Sequence, residues 1–320
     1  MKYKWLIIGA GLSGLMAGLE LSRRGEDYII VEKSKTVPDA KLHYLHSDLQ
    51  SFFPFRLRPV EIITNLLWEN KFHFHASIEM MNSFANATIG KIVQNSTKYI
   101  DGQPRQGFVP EAGIENISAE TLKFNKGKIM LGTGLSWIDK DHQLVGLEDG
   151  QTINYERCIS TIPLPSTLEL LGIKSTIEFK TEPLHMVEAT VPEELYEDLY
   201  QILYLPQCDF GFTRVSILGK RIVAEKGRKE LQPNTISSLE GLVEILNRLL
   251  PNLIDQEIKM KETTNWYGRY IPIKESDRLA ILQDLKEKGI DCLGRYAQWT
   301  YVRTEHTAKR VVELIEGIKV

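Results

Sequence analysis

No other stretch limits the fold as tightly as residues 3–33, YKWLIIGAGLSGLMAGLELSRRGEDYIIVEK. Residues 3–9 form a short apolar run containing the β-branched pair Ile7 and Ile8, the pattern of a buried parallel strand. The run ends in Gly9-Ala10-Gly11-Leu12-Ser13-Gly14. LMAGLELSRRG then sets Leu15, Leu19 and Leu21 among small residues and stops at Gly25, which predicts a helix with a C-terminal glycine. DYIIVEK supplies the next strand and ends at Glu32, 18 residues after Gly14, with Lys33 following. A G-x-G-x-x-G alone is weak evidence, but here strand, glycines, helix, strand and acid stand in the order a dinucleotide-binding unit requires. Gly9 allows the tight turn, Gly11 lets backbone approach a pyrophosphate, and Gly14 lets helix pack on strand. The amides around Leu12 and Ser13 then offer a helix N-terminus to the phosphates. Glu32 is placed to accept hydrogen bonds from ribose hydroxyls, and its charge opposes a 2′-phosphate, which disfavours NADP.

The rest of the composition sets bounds. The chain has 320 residues, 42% hydrophobic and 25% charged, enough for two domains of ordinary globular character. A net charge of −3 gives no global field toward nucleic acid. Cys158, Cys208 and Cys292 lie far apart, so neither a disulfide framework nor a cysteine-rich zinc site is predicted, and a cytoplasmic setting is expected. The N-terminal apolar run lacks a small-residue cleavage site and no long apolar span follows, so neither a signal peptide nor a membrane helix is expected.

Further βαβ units do not follow the first. Residues 49–106 are aromatic-rich, with FFPFRLRP and KFHFHASIEMM, and VEIITNLLW, residues 60–68, reads as helical. FVPEAGIENISAETLKF reads as loop then helix, and residues 128–163 supply four strand-like runs with a turn at Asp149-Gly150. KTEPLHMVEATV and TRVSILGKRIVAEK are strand-like, SLEGLVEILNRLLPN is an amphipathic helix, and an apolar DCLG strand precedes a final helix, HTAKRVVELIEGI. The predicted fold is α/β: a Rossmann-type nucleotide-binding domain of residues 1–48, 107–175 and 285–320, interleaved with a mixed α+β substrate domain of residues 49–106 and 176–284.

Four separated pieces resemble the flavin amine oxidase superfamily, and within it the UDP-galactopyranose mutase-like FAD proteins. They are IIGAGLSGL with Glu32; LHYLHSD; LGTGLSWI with CISTIPLPSTLELLG; and the C-terminal block YGRYIPIKESDRLAILQDLKEKGIDCLGRYAQWTYVRTEHTAKRVVEL. The resemblance implies FAD as cofactor. It implies that the strand containing Leu135 meets the adenine, and that Thr161 belongs to the turn after the neighbouring strand. It puts Gly294 and Arg295 at the pyrophosphate and flavin side, and Arg303 and Thr304 at the start of a helix whose N-terminus faces the flavin. Two departures stand out. The diglycine that usually follows the ribose acid is missing, and Arg303-Thr304-Glu305 replaces an Asp-x-Asp pair, changing the charge expected there.

Three functions follow from the resemblance. An amine oxidase-like enzyme passes a hydride from an amine or amino-acid-like substrate to flavin N5, with Trp299, Tyr301 and Tyr270 shaping the pocket. A mutase-like enzyme uses reduced flavin without net redox on a nucleotide-linked sugar, with Arg214 and Arg269 as candidates to hold the substrate. A degenerate flavin-fold protein binds FAD without catalysis. The basic run of Lys220, Arg221, Lys226, Arg228 and Lys229 is either a solvated strand and turn or a grip for phosphates, including those of a nucleic-acid-borne amine. His43 and His46 in KLHYLHSD are the remaining candidates for catalysis. A metal there needs further ligands, and only His73 and His75 lie near in sequence, so no metal is predicted. The two are then either core histidines or flavin-facing groups that hydrogen-bond N5 or orient substrate.

Overall fold

A computed structural model describes residues 1–40, 42–69, 71–77, 79–80, 106–191, 198–206, 211–226, 239–249 and 259–317. In chain order the described elements are β1 (Lys2–Ile8), α1 (Leu12–Arg23), β2 (Tyr28–Glu32), β3 (Leu57–Trp68), β4 (Lys71–His73), β5 (Gln106–Pro110), α2 (Ile117–Lys123), β6 (Lys128–Leu131), β7 (Leu135–Asp139), β8 (Leu144–Leu147) and β9 (Thr152–Ser160). There follow α3 (Leu164–Leu170), β10 (Thr181–Thr190), β11 (Leu199–Tyr204), β12 (Phe212–Leu218), β13 (Arg221–Lys226), α4 (Leu239–Leu249), β14 (Lys259–Tyr270), α5 (Glu275–Glu287), β15 (Ile290–Cys292) and α6 (Thr304–Glu316). Among the described residues no helix is long and apolar enough to cross a membrane.

The chain divides into two compact units: Met1–Arg58, Phe108–Phe179 and Pro272–Val320 form the first, and Pro59–Gly107 and Lys180–Ile271 the second. Residues 49–58, 176–179 and 272–284, expected in the second unit, group with the first, and Gly107, expected in the first, groups with the second. Leu49, Phe52 and Phe53 are buried there. The guanidinium of Arg23 on α1 donates to the Phe52 carbonyl and lies 5.3 Å from the Phe52 ring.

In the first unit, β6, β2, β1, β9 and β15 pair in parallel, in that spatial order. Leu6, Ile7, Ile8, Ile29, Ile30, Val31, Cys158 and Ile159 are buried along these strands, as a sheet covered on both faces requires. Strand β9 serves two partners. Thr152–Asn154 pairs with antiparallel β8, which continues to β7, while Cys158–Ser160 pairs with β15.

The second unit is built on a sheet of order β14-β10-β13-β12-β11-β3-β4, antiparallel except between β11 and β3. Leu67, Val187, Leu203, Val215, Ile217, Ile222 and Ala224 share a core with Leu242, Ile245 and Leu246 of α4. Here VEIITNLLW departs from its helical reading and lies in β3, between β11 and β4. Val60, Ile62, Ile63 and Thr64 are β-branched, a run that loses rotamer freedom in a helix and packs well on a pleated strand. Its apolar residues gave no periodicity that separates a buried strand from a buried helix.

Replacing Ile7, which has no exposed surface in the centre of the first sheet, with alanine is expected to destabilise the protein by about 2–5 kcal/mol. Urea unfolding read by circular dichroism measures this; a loss below that range means the sheet relaxes around the cavity.

Candidate functional site

The C-terminal ends of β1, β2, β9 and β15 deliver Gly9, Glu32, Thr161 and Gly294 to one edge of the first unit's sheet. Strands β2 and β9 flank β1 on opposite sides, so the chain after β1 emerges where the strand order reverses, the place where such sheets bind ligands. The three glycines of the loop are glycine for different reasons. Gly9 has φ 97°, and a Cβ there would lie 2.7 Å from Thr161 Oγ1. A Cβ on Gly14 would lie 2.0 Å from the Gly9 carbonyl oxygen. A Cβ on Gly11 meets no protein atom within 4 Å, and its φ of −63° suits any residue. Packing therefore demands glycine at 9 and 14 but not at 11, which is the N-cap of α1, a position that favours glycine, and which leaves the backbone open to close approach by a ligand. Thr161 closes the turn from the neighbouring strand, donating from Oγ1 to the carbonyls of Ile8 at 2.8 Å and Gly9 at 3.2 Å. Its role is to hold the loop's backbone.

Glu32 lies beside the same loop. Its Oε2 accepts from the Ala10 amide at 2.7 Å and its Oε1 from the Ser34 amide at 2.8 Å. These two bonds fix the carboxylate yet leave each oxygen capacity for a further donor, as a ribose diol needs. The segment before β7 runs alongside: Thr133 donates to the Glu32 carbonyl at 3.2 Å and Gly132 to that of Ser34 at 2.8 Å. Leu135 begins β7, and its side chain packs partly against the core of this unit. Lys33 turns elsewhere, forming a surface pair with Glu148 at 2.9 Å that raises the lysine pKa and lowers that of the acid. The structure gives Lys33 no place at the loop.

The late segment reaches the loop through Gly294. Its φ is 92°, and a Cβ there would lie 2.4 Å from the hydroxyl of Ser13 in the first turn of α1. The neighbouring Arg295 guanidinium stands 4.7 Å from the centroid of the Tyr301 ring, and Tyr301 is exposed. A stacked guanidinium keeps its in-plane N–H donors for an anion. Trp299 corrects its expected role. It is 1% exposed and packs edge-to-face on Phe179 at 5.0 Å, so it belongs to the core and lines no surface that a substrate reaches. Its φ of 49° is a left-handed conformation that costs about 1–2 kcal/mol for a side chain of this kind. The buried Arg278, which donates to the Gln298 carbonyl at 3.0 Å, helps hold it. Arg303 occupies the N-cap position of α6 and lies 4.0 Å from Glu305, so the change of sign expected there is offset within the first turn. Thr304 opens the helix, whose first amides have no intrahelical acceptor.

His43 and His46 flank an anchored point. Leu45 exchanges two backbone hydrogen bonds with Phe108, at 2.8 and 2.9 Å. Both imidazoles are half-buried, and the His46 ring lies 4.7 Å from that of Tyr44. His73 and His75 do not share a strand face, because β4 ends at His73 and His75 has φ 53°. Among the described residues no group of three His, Cys, Asp or Glu stands together as a metal site.

The remaining candidates belong to the second unit. Arg214 and Arg269 both pair with Glu225, a buried acid that nothing in the sequence spacing marked, and Tyr270 ends β14. In the basic run, Arg221 pairs with Glu188 of β10 at 3.5 Å and Lys226 with Glu262 of β14 at 2.8 Å. Arg228, Lys229 and Cys208 lie outside the described residues. Cys158 and Cys292 are free thiols, and burial raises the pKa of both, that of Cys292 to about 12.

Comparison with known proteins agrees with this geometry. Residues 2–51 match the family model described as FAD binding domain. No curated protein matches by sequence. A reduced UDP-galactopyranose mutase is similar at 14% identity with TM-score 0.72, over 99% of this chain and 94% of that one. An oxidoreductase from Methanosarcina mazei has 14% identity and TM-score 0.63, over 99% and 100%. L-proline dehydrogenase from P. horikoshii has 14% identity and TM-score 0.57, over 100% and 94%. At such identities the likeness is one of fold, a Rossmann-type flavoprotein fold, and FAD is the dinucleotide its loop is made for.

The glycine geometry makes a paired prediction. Gly11→Ala is expected to cost the apoprotein no more than about 1 kcal/mol, the loss of a favoured N-cap residue, yet bind FAD at least about tenfold more weakly, because a bound ligand meets the new methyl. Gly14→Ala is expected to lower apoprotein stability outright. Fluorescence titration with FAD and melting of the flavin-free protein separate the two, and equal behaviour of both variants contradicts the assignment.

Proposed function

We propose that the chain is an FAD-dependent oxidoreductase that oxidises a C–N bond of an amine or amino-acid-like substrate. FAD dependence is supported by one observation, a phosphate loop in which packing requires Gly9 and Gly14 while the backbone at Gly11, the N-cap of α1, stands open to a ligand. The C–N bond is supported by the resemblance to flavin amine oxidases and by the fold likeness to L-proline dehydrogenase. Bound FAD supplies the hydride acceptor that no side chain provides.

The chain's residues supply binding and orientation. Amides at the start of α1 and the guanidinium of Arg295 would hold the pyrophosphate by charge-assisted hydrogen bonds. Glu32 accepts from the ribose hydroxyls. The first amides of α6, from Thr304, would offer the positive end of a helix dipole to the flavin. His43 or His46 would hydrogen-bond flavin N5 or orient the substrate. Tyr301, with its ring edge in solvent, is the aromatic available to a substrate. The two described cysteines, both free thiols, support a cytoplasmic setting.

A second reading, mutase-type chemistry without net redox on a nucleotide-linked sugar, is favoured by the fold likeness to UDP-galactopyranose mutase over nearly both chains. Anaerobic titration of the flavin spectrum separates the readings. Bleaching by an amine is expected; turnover of a nucleotide sugar only after dithionite reduction would sink the oxidative reading. Replacement of His43 and His46 by alanine in turn is expected to leave the flavin bound and to slow amine bleaching by about 10²–10⁴-fold in one of the two variants.

A further inference from the structure

Arg214 on β12, Glu225 on β13 and Arg269 on β14 meet on the face of the second unit's sheet opposite its α4-covered core. Two guanidinium groups converging on one point are what a phosphate or carboxylate ligand needs, because each planar fork donates in parallel to two oxygens. Here the point is occupied by the protein. Glu225 Oε1 accepts from Arg214 Nη2, and Oε2 accepts from Arg269 Nη2 at 3.1 Å, so the carboxylate bridges the pair.

Strand register sets this arrangement. Arg214 and Glu225 lie directly opposite each other in the β12–β13 ladder, and cross-strand partners share a face. The Glu225 side chain is 5% exposed, against 22% for Arg214 and 19% for Arg269. The acid is therefore the deepest member of the three. An incoming anion that took over both arginines would strand a buried carboxylate without its counter-charges, which is strongly unfavourable. A second acid, Glu182, faces Arg269 across the β10–β14 ladder. Among the described residues, acids thus stand beside both arginines.

We infer that Glu225 is a specificity-determining residue: it takes, as an internal anion, the position between Arg214 and Arg269 that a substrate phosphate or carboxylate would fill. A substrate held by this arginine pair is then excluded, which narrows the amine or amino-acid-like substrate proposed above to one whose anionic group, if it has one, is held elsewhere. The closure of the arginine pair stands on geometry alone; the amine character of the substrate rests on the oxidative reading proposed above.

Calorimetric titration of the FAD-loaded protein with inorganic pyrophosphate tests the inference. Wild-type protein is expected to show no saturable binding at millimolar ligand. E225A is expected to melt at a lower temperature, to bind pyrophosphate at least about tenfold more tightly than wild type, and to recover its melting temperature in pyrophosphate or acetate. Saturable binding by wild type that disappears in R214Q or R269Q overturns the inference. A folded E225A, with flavin retained, that neither binds pyrophosphate nor recovers also overturns it. If E225A does not fold, the wild-type titration with the two arginine variants decides alone. Failure of amines to bleach the flavin would remove the oxidative reading and leave the closed arginine pair in place, whereas arginine-dependent binding by wild type would do the reverse.

Discussion

The approach of Gly14 to the carbonyl of Gly9 is the contact on which the first unit depends. With only 2.0 Å between that oxygen and the place a Cβ would occupy, α1 lies directly against the end of β1. That closeness brings the first amides of α1 to the sheet edge, where β2 and β9 diverge from β1. Thr161 then fastens the turn by reaching across from the end of β9 to the carbonyls of Ile8 and Gly9. Two short-range constraints, one steric and one hydrogen-bonded, shape an anion-binding terminus before any charged side chain is involved.

The phosphate loop and its sheet are legible in the sequence because each requirement there is local. A glycine needed for a positive φ or a close approach must be glycine whatever the rest of the chain does. The strand after Asp149-Gly150, the helix from Leu239 and the final helix from Thr304 are readable for a similar reason, since turn chemistry and amphipathic period lie within each segment. Strand β3 is not readable in this way. Nine largely apolar residues without clear period fit helix or strand, and only pairing with β11 and β4 decides between them.

Side-chain partnerships are the least legible part of the site. Arg214 and Arg269 stand out in the sequence as unassigned basic residues, but their shared acid depends on the register of three strands, one of them more than thirty residues away along the chain. Lys33 follows the ribose acid in sequence yet turns to Glu148, which the β7–β8 hairpin brings alongside. Trp299 shows the converse error. An aromatic-rich loop near a cofactor suggests a pocket wall, but a tryptophan with 1% exposure and a left-handed backbone is an anchor whose ring sets the path of the loop on either side.

The divided pairing of β9 has a consequence for the order in which the protein acquires its parts. Its first half bonds to β8, made just before it, whereas its second half waits for β15, made more than a hundred residues later. During synthesis the ribosome releases the glycine loop, Glu32 and Thr161 long before Gly294 and Arg295. Until then the exit-side edge of β9 offers unpaired backbone groups at Cys158–Ser160 to any extended chain nearby. In the folded chain, β15 both covers the Cys158–Ser160 edge of β9 and leads to Gly294 beside the glycine loop.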